Sequence, residues 1–145
     1  YRGMPDYYMT ALYGLFNRHE GGVTFTFARG GHPFPIVYRR ETDSVEYVKA
    51  GGNLLGWNEN NTFGETSVEL KRGDRVFLYT DGIPETINEE REMLDSDGGN
   101  FLNLFRDPDH CAIGGKLDSV IETVTRFRKD APLVDDIILI GIEVQ

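Results

Sequence analysis

Glycine pairs at Gly21-Gly22, Gly30-Gly31, Gly51-Gly52, Gly98-Gly99 and Gly114-Gly115 cut this chain into short pieces. Paired glycines allow backbone angles closed to other residues and weaken any helix or strand that runs through them, so the chain must fold from many short elements joined by tight turns. The pairs follow no fixed period, which excludes a repeat architecture.

Between these breaks the apolar pattern is mostly that of strands. Met9 to Phe16 has no polar face and reads as a buried strand, with a short helix as the competing reading. Val23 to Ala28 alternates Val, Phe and Phe against Thr, a half-buried strand hairpin-linked to the first. Gly30-Gly31-His32-Pro33 predicts a bulge or tight bend, because Pro33 biases His32 toward an extended backbone. Pro35 to Arg39 resumes as a strand, and Ser44 to Val48 pairs back with it. Leu54-Leu55-Gly56-Trp57 is expected to cover one end of the core.

The clearest stretch runs from Thr66 to Thr80. Val68 and Leu70 alternate with Glu69, Lys71-Arg-Gly-Asp74 makes a hairpin turn, and Val76 to Tyr79 is a continuous apolar strand that ends in Thr80-Asp81-Gly82. Pro84 then opens a solvent-facing helix over Glu85 to Leu94, followed by a loop over residues 96–99 and one helical turn at Phe101 to Phe105. Leu117, Val120, Ile121, Val124 and Phe127 recur at three- and four-residue steps, predicting an amphipathic helix from about Gly115 to Arg128 that Pro132 terminates. Ile137 to Val144 is a final strand too uniformly apolar for an exposed edge. About seven strands and two or three late helices, with hairpin-linked antiparallel strands, define an α+β layered class rather than a doubly wound sheet.

Bulk properties narrow the function. A length of 145 residues fits one domain, taken here as 1–145. The formal charge of −9 repels a phosphate backbone and leaves no basic stripe, which argues against a nucleic-acid partner. The single cysteine, Cys111, can form neither an internal disulfide nor a zinc knuckle, so a reducing, cytoplasmic setting is expected. No run approaches the roughly 20 apolar residues of a membrane span, so direct membrane insertion is not expected. Tyr1 begins without a leader, and the missing initiator Met favours a piece of a larger protein.

The carboxylates carry the chemical interest. Asp81 sits where one apolar strand ends, and Asp135 with Asp136 where another begins. If those strands are antiparallel neighbours, the three carboxylates meet at one sheet edge, and a divalent cation would relieve their repulsion. An all-oxygen donor set suits Mg²⁺ or Mn²⁺ better than zinc. The same residues also read as a turn and a strand cap, both common uses of aspartate. His32, held between a glycine pair and Pro33, either pins its loop or meets a ligand. His19 and His110 lie in polar loops with no specific role, and Cys111 lacks the partners of a nucleophile.

Taken in order, Ala28-Arg-Gly-Gly-His32-Pro33, Leu54-Leu-Gly56, Val68-Glu-Leu-Lys-Arg-Gly-Asp74-Arg-Val-Phe-Leu-Tyr-Thr-Asp81-Gly-Ile-Pro-Glu85-Thr-Ile-Asn88 and Asp135-Asp136-Ile137 resemble the C-terminal segment of SpoIIE/RsbU-type, PP2C-like bacterial serine phosphatases. The resemblance implies an αββα sandwich of mostly antiparallel strands, truncated at the N-terminus. It implies dephosphorylation of phosphoserine or phosphothreonine on a protein such as a STAS-type anti-anti-sigma factor, with two Mn²⁺ or Mg²⁺ ions in the complete domain. By that resemblance Asp81 and Asp135 stand at metal-binding positions with Asp136 beside them. His32 lies in the Ala-Gly-His motif, on the substrate side or as a loop-structuring residue, and no catalytic group is implied beyond the metal ligands. The family's Gly-Asp-x-x-Asp and Asp-x-x-Gly-His-Gly motifs are absent, Asp6 fits neither, and Ile138 stands where Thr or Ser is usual. The expectation is a metal-dependent phosphatase in the parent protein and weak or no turnover from this chain alone. The alternative is a non-catalytic interaction module, and missing strands would leave a sheet edge able to pair with a second copy as a homodimer.

Overall fold

The computed structural model describes residues 7–57, 59–96 and 100–145, so Asp6 and most of the 96–99 loop lie outside the described residues. Seven strands are present among them: β1 Ala11–His19, β2 Gly22–Gly30, β3 Ile36–Arg39, β4 Ser44–Tyr47, β5 Glu65–Leu70, β6 Arg75–Tyr79 and β7 Leu139–Glu143. Two helices, α1 Asn100–Asn103 and α2 Ile113–Arg128, fall between β6 and β7. The strands form a three-stranded sheet in the order β1-β2-β5 and a four-stranded sheet in the order β4-β3-β6-β7. Every pairing between these strands is antiparallel.

The alternation read in β2 decides the layering. Val23, Phe25 and Phe27 turn inward and meet Val37, Leu70, Val76 and Val144 between the sheets. Phe25 stacks on Phe27 with ring centroids 5.0 Å apart and on Phe16 at 4.4 Å. The other face of the four-stranded sheet supplies Ile36, Tyr38, Phe77 and Tyr79, which pack on Phe101, Phe105, Val120 and Val124 from the helical segment. Each such fully buried large apolar side chain stabilises the fold by roughly 1.5–3 kcal/mol. The outcome is a β/β/α stack. The outer face of the three-stranded sheet carries Thr24, Thr26, Ser67 and Glu69, and no helix among the described residues packs on it.

Five expectations are corrected. Lys71 to Asp74 is not a hairpin within one sheet: β5 and β6 belong to different sheets, and the turn carries the chain across the sandwich. Asp74 makes that crossing by accepting from the Lys71 and Arg40 amides and from the Arg39 guanidinium. Glu85 to Leu94 is not a helix. The Asn88 side chain accepts the Glu92 amide, Ile87 bridges Met93, and Arg91 takes a φ of +65°. A side-chain acceptor that satisfies nearby backbone competes with helix. The first and last apolar strands are both outer strands. β1 leaves Tyr13 70% exposed, and β7 leaves Ile140 48% exposed. β7 is nevertheless apolar from Leu139 to Ile142 because it has two faces to fill, Gly141 lying against Ile113 and Leu117 of α2 and Ile142 packing between the sheets. Trp57 does not cap the core either; it is exposed and meets Tyr8 edge-on at 6.4 Å.

Candidate metal and phosphate site

Two crossings bring the candidate residues to one end of the sandwich. β2 ends at Gly30, and the loop to β3 carries His32. That loop is held by the Arg29 guanidinium, which donates to the carbonyls of Ala50 (2.9 Å) and His32 and stacks 4.2 Å over Phe34. Gly52 permits this closure. Its φ is +146°, and a Cβ there would lie 1.9 Å from the Arg29 carbonyl oxygen.

The second crossing is the β6–β7 pairing. Its register runs from Arg75 opposite Glu143 to Tyr79 opposite Leu139, so the end of β6 lies beside the start of β7. This is the neighbour relation on which the carboxylate reading depended. One step further the Thr80 amide donates to the Ile138 carbonyl at 3.1 Å. Asp81 then enters a turn closed by the Glu85 amide on the Asp81 carbonyl (2.9 Å) and by the Thr86 hydroxyl on the Gly82 carbonyl (2.7 Å). Gly82 lies directly against the Asp135–Asp136 backbone: a Cβ there would fall 2.5 Å from the Asp136 carbonyl oxygen.

Asp81, Asp135 and Asp136 are all exposed. One Asp135 carboxylate oxygen accepts the Asp136 amide at 2.7 Å, which orients it along the turn. His32 is half-buried, and its Nδ1 lies 3.3 Å from the Thr10 hydroxyl. Burial pushes the imidazole below its ordinary value, the negative charge of Asp81 opposes that, and Arg29 adds to the lowering. His32 is therefore neutral at neutral pH and within electrostatic reach of Asp81. Beside His32 a cleft of about 350 Å³ is lined by His32, Thr80, Leu12, Leu78, Ile138 and Ile140, among others, and by none of the three aspartates.

These carboxylates are the hard oxygen donors that Mg²⁺ and Mn²⁺ accept. They fit part of such a site: among the described residues no three His, Cys, Asp or Glu side chains are grouped to hold an ion. The structure thus brings the three aspartates to one edge, with His32 nearby, without converging them on one point. Two participants were not picked out from sequence. Thr80 and Arg29 enter the sequence reading only as members of the motifs around Asp81 and His32, and those neighbours are the available signals.

The other polar centre lies at the opposite end of β6 from Asp81, around Arg75. Buried Arg75 donates to Asp107 and Glu143, each at 2.6 Å, and to the Cys111 carbonyl. The Cys111 thiol donates to Asp107 at 3.2 Å, and burial pushes that thiol up, in keeping with an unreactive cysteine. His19 and His110, assigned no role from sequence, make local contacts with Glu69 and Tyr38.

The sequence model for Stage II sporulation protein E (SpoIIE) matches residues 2–145. The chain is 26% identical over 84 residues to phosphoserine phosphatase RsbU of Bacillus subtilis (strain 168), covering 57% of this chain and 24% of that protein. Among solved structures, the RsbU and RsbW domains of Rv1364c from Mycobacterium tuberculosis match with a TM-score of 0.68 at 24% identity, over 87% of this chain and 33% of that one. The SpoIIE phosphatase domain of Bacillus subtilis matches at 0.62 and 19%, over 92% and 56%. The SiaA PP2C domain of Pseudomonas aeruginosa matches at 0.69 and 18%, over 83% and 46%. The chain therefore spans about a quarter of the curated relative and a third to about half of these solved chains, which share its two-sheet fold. With the family pattern matched from residue 2 to residue 145 and the same sandwich underneath it, the chain belongs to the SpoIIE family.

Proposed function

We propose that this chain is part of a Mn²⁺- or Mg²⁺-dependent phosphatase that removes phosphate from phosphoserine or phosphothreonine on a protein. The observation that carries the reading is the β6–β7 register, which sets Asp81 at the end of one strand against Asp135 and Asp136 at the start of the next. In this reading Asp81 and Asp135 are metal ligands, Asp136 supports them, and neutral His32 shapes the substrate side of the cleft. A divalent ion held there would supply an activated water and neutralise charge on the phosphoryl oxygens. The complete site takes two ions, and the phosphoprotein is a STAS-type anti-anti-sigma factor or similar, by kinship with the phosphoserine phosphatase RsbU. Among the described residues β1 and β5 edge one sheet and β4 and β7 the other, and a second copy would add strands at such an edge in a homodimer.

Phosphate release from a phosphoserine peptide in Mn²⁺ tests this reading. A full-length product carrying this chain should release phosphate in a Mn²⁺-dependent way, and Asp81→Ala should lower the rate about 100-fold or more. The 145-residue chain alone should turn over slowly or not at all, because its ligand set is partial. Release that survives chelation, or that Asp81→Ala leaves unchanged, contradicts the reading. The lack of a three-ligand cluster among the described residues favours a second reading, a non-catalytic module with the phosphatase fold. Tight binding of the phosphoprotein without turnover by the full-length product would select it.

A further inference from the structure

The loop that carries Asp135 and Asp136 is fastened to the end of β6 through Thr80, by its backbone amide on the Ile138 carbonyl and by its hydroxyl. Thr80 Oγ1 donates to the Asp136 carbonyl at 2.7 Å and accepts the Ile138 amide at 2.9 Å. The regular ladder ends at Tyr79 opposite Leu139, and alongside the one further backbone bond from the Thr80 amide this side chain extends the connection to Asp136. The approach is close enough that Gly82, two residues on, has no room for a Cβ beside the Asp136 carbonyl. Thr80 and Gly82 flank Asp81 on the chain, and both act on the backbone of the opposite acidic pair. A hydroxyl clamp on one side and a side-chain-free surface on the other fix how far Asp135 stands from Asp81.

We infer that Thr80 is a positioning residue: its hydroxyl, with the clearance provided by Gly82, sets the separation of Asp81 and Asp135 so that both can reach one divalent cation. This rests on the reading of those aspartates as metal ligands. Groups that orient ligands without touching the ion typically change its affinity by roughly 10–100-fold when removed. Valine matches threonine in shape and lacks the donor and acceptor. Serine keeps both.

The test is the free Mn²⁺ signal in electron paramagnetic resonance, titrated with the 145-residue chain and with Thr80→Val, Thr80→Ser and Asp81→Ala. Amide exchange is followed at Ile138 and at buried Phe77. The expected result is Mn²⁺ binding weakened about tenfold or more in Thr80→Val and kept within about twofold in Thr80→Ser. Exchange should become faster at Ile138 and stay unchanged at Phe77. Thr80→Val that binds as the parent does, while Asp81→Ala does not bind, overturns the positioning role and leaves the metal reading standing. Equal loss in Thr80→Val and Thr80→Ser with Phe77 still protected also overturns it, since the hydroxyl would then not be the operative group. Binding that is absent from the parent, or equal in Asp81→Ala, overturns the metal reading and the positioning role with it. Should Thr80→Val expose Phe77, Thr80→Ala is judged by the same criteria.

Discussion

Phe77→Ala is expected to lower the free energy of unfolding by about 3–5 kcal/mol, read from urea denaturation followed by circular dichroism. Phe77 is 0% exposed, and its ring centroid lies 4.9 Å from that of Phe105, on the face of β6 that meets the helical layer. Truncation removes the transfer free energy of the ring and leaves a void among Ile36, Tyr79, Phe105 and their neighbours, and Ile36 and Tyr79, held in the paired strands β3 and β6, cannot collapse freely onto it. The effect should reach the site, because β6 is the strand that delivers Asp81. A cost under about 1 kcal/mol would show that the ring is not part of a close-packed core.

Asp107→Ala should be comparably severe. It would leave Arg75, 2% exposed, without the more buried of the two carboxylates it meets at 2.6 Å and with Glu143 alone to offset its charge, and breaking one side of a buried pair costs up to about 3–5 kcal/mol. Arg75→Met combined with Asp107→Leu should cost less than Asp107→Ala alone, since the charge then left without its partner is the Glu143 carboxylate, which is 24% exposed, rather than the buried guanidinium. The pH dependence follows in sign. Burial pushes the Asp107 carboxyl up, but hydrogen bonds from Cys111 and Arg75 outweigh that and hold it below its ordinary value of 3.8. The folded state therefore binds this proton less readily than the unfolded chain. Its contribution is complete above about pH 4 and is lost as pH falls through the lowered value, so the gap between parent and Asp107→Ala should narrow only below about pH 4. A gap that closes between pH 5 and 7 would contradict the assignment.

How much of this could be read in advance depended on whether the deciding contacts were local. The alternation of Val23, Phe25 and Phe27 is a property of one strand, and it fixed both the strand and its inward face. The neighbour relation of β6 and β7 was accessible because two strongly apolar runs each had acidic residues at one end. The Lys71–Asp74 turn was misassigned because the same four-residue turn serves a hairpin and a crossing between sheets; what separates them is that β5 pairs with β2 and β6 with β3. The supposed helix after Pro84 has suitable charge density, and it was undone by a single side-chain acceptor, Asn88. At the site, Asp81 and Asp135 announced themselves as carboxylates at strand ends. Thr80 did not, because its hydroxyl acts on residues 56 and 58 positions away.

If the β6–β7 pairing assembles a divalent-cation site around Asp81, as proposed, calorimetric titration of Mn²⁺ into this chain at neutral pH should show saturable binding in the roughly micromolar range that Asp81→Ala abolishes. Absence of binding, or equal binding by both proteins, would contradict it.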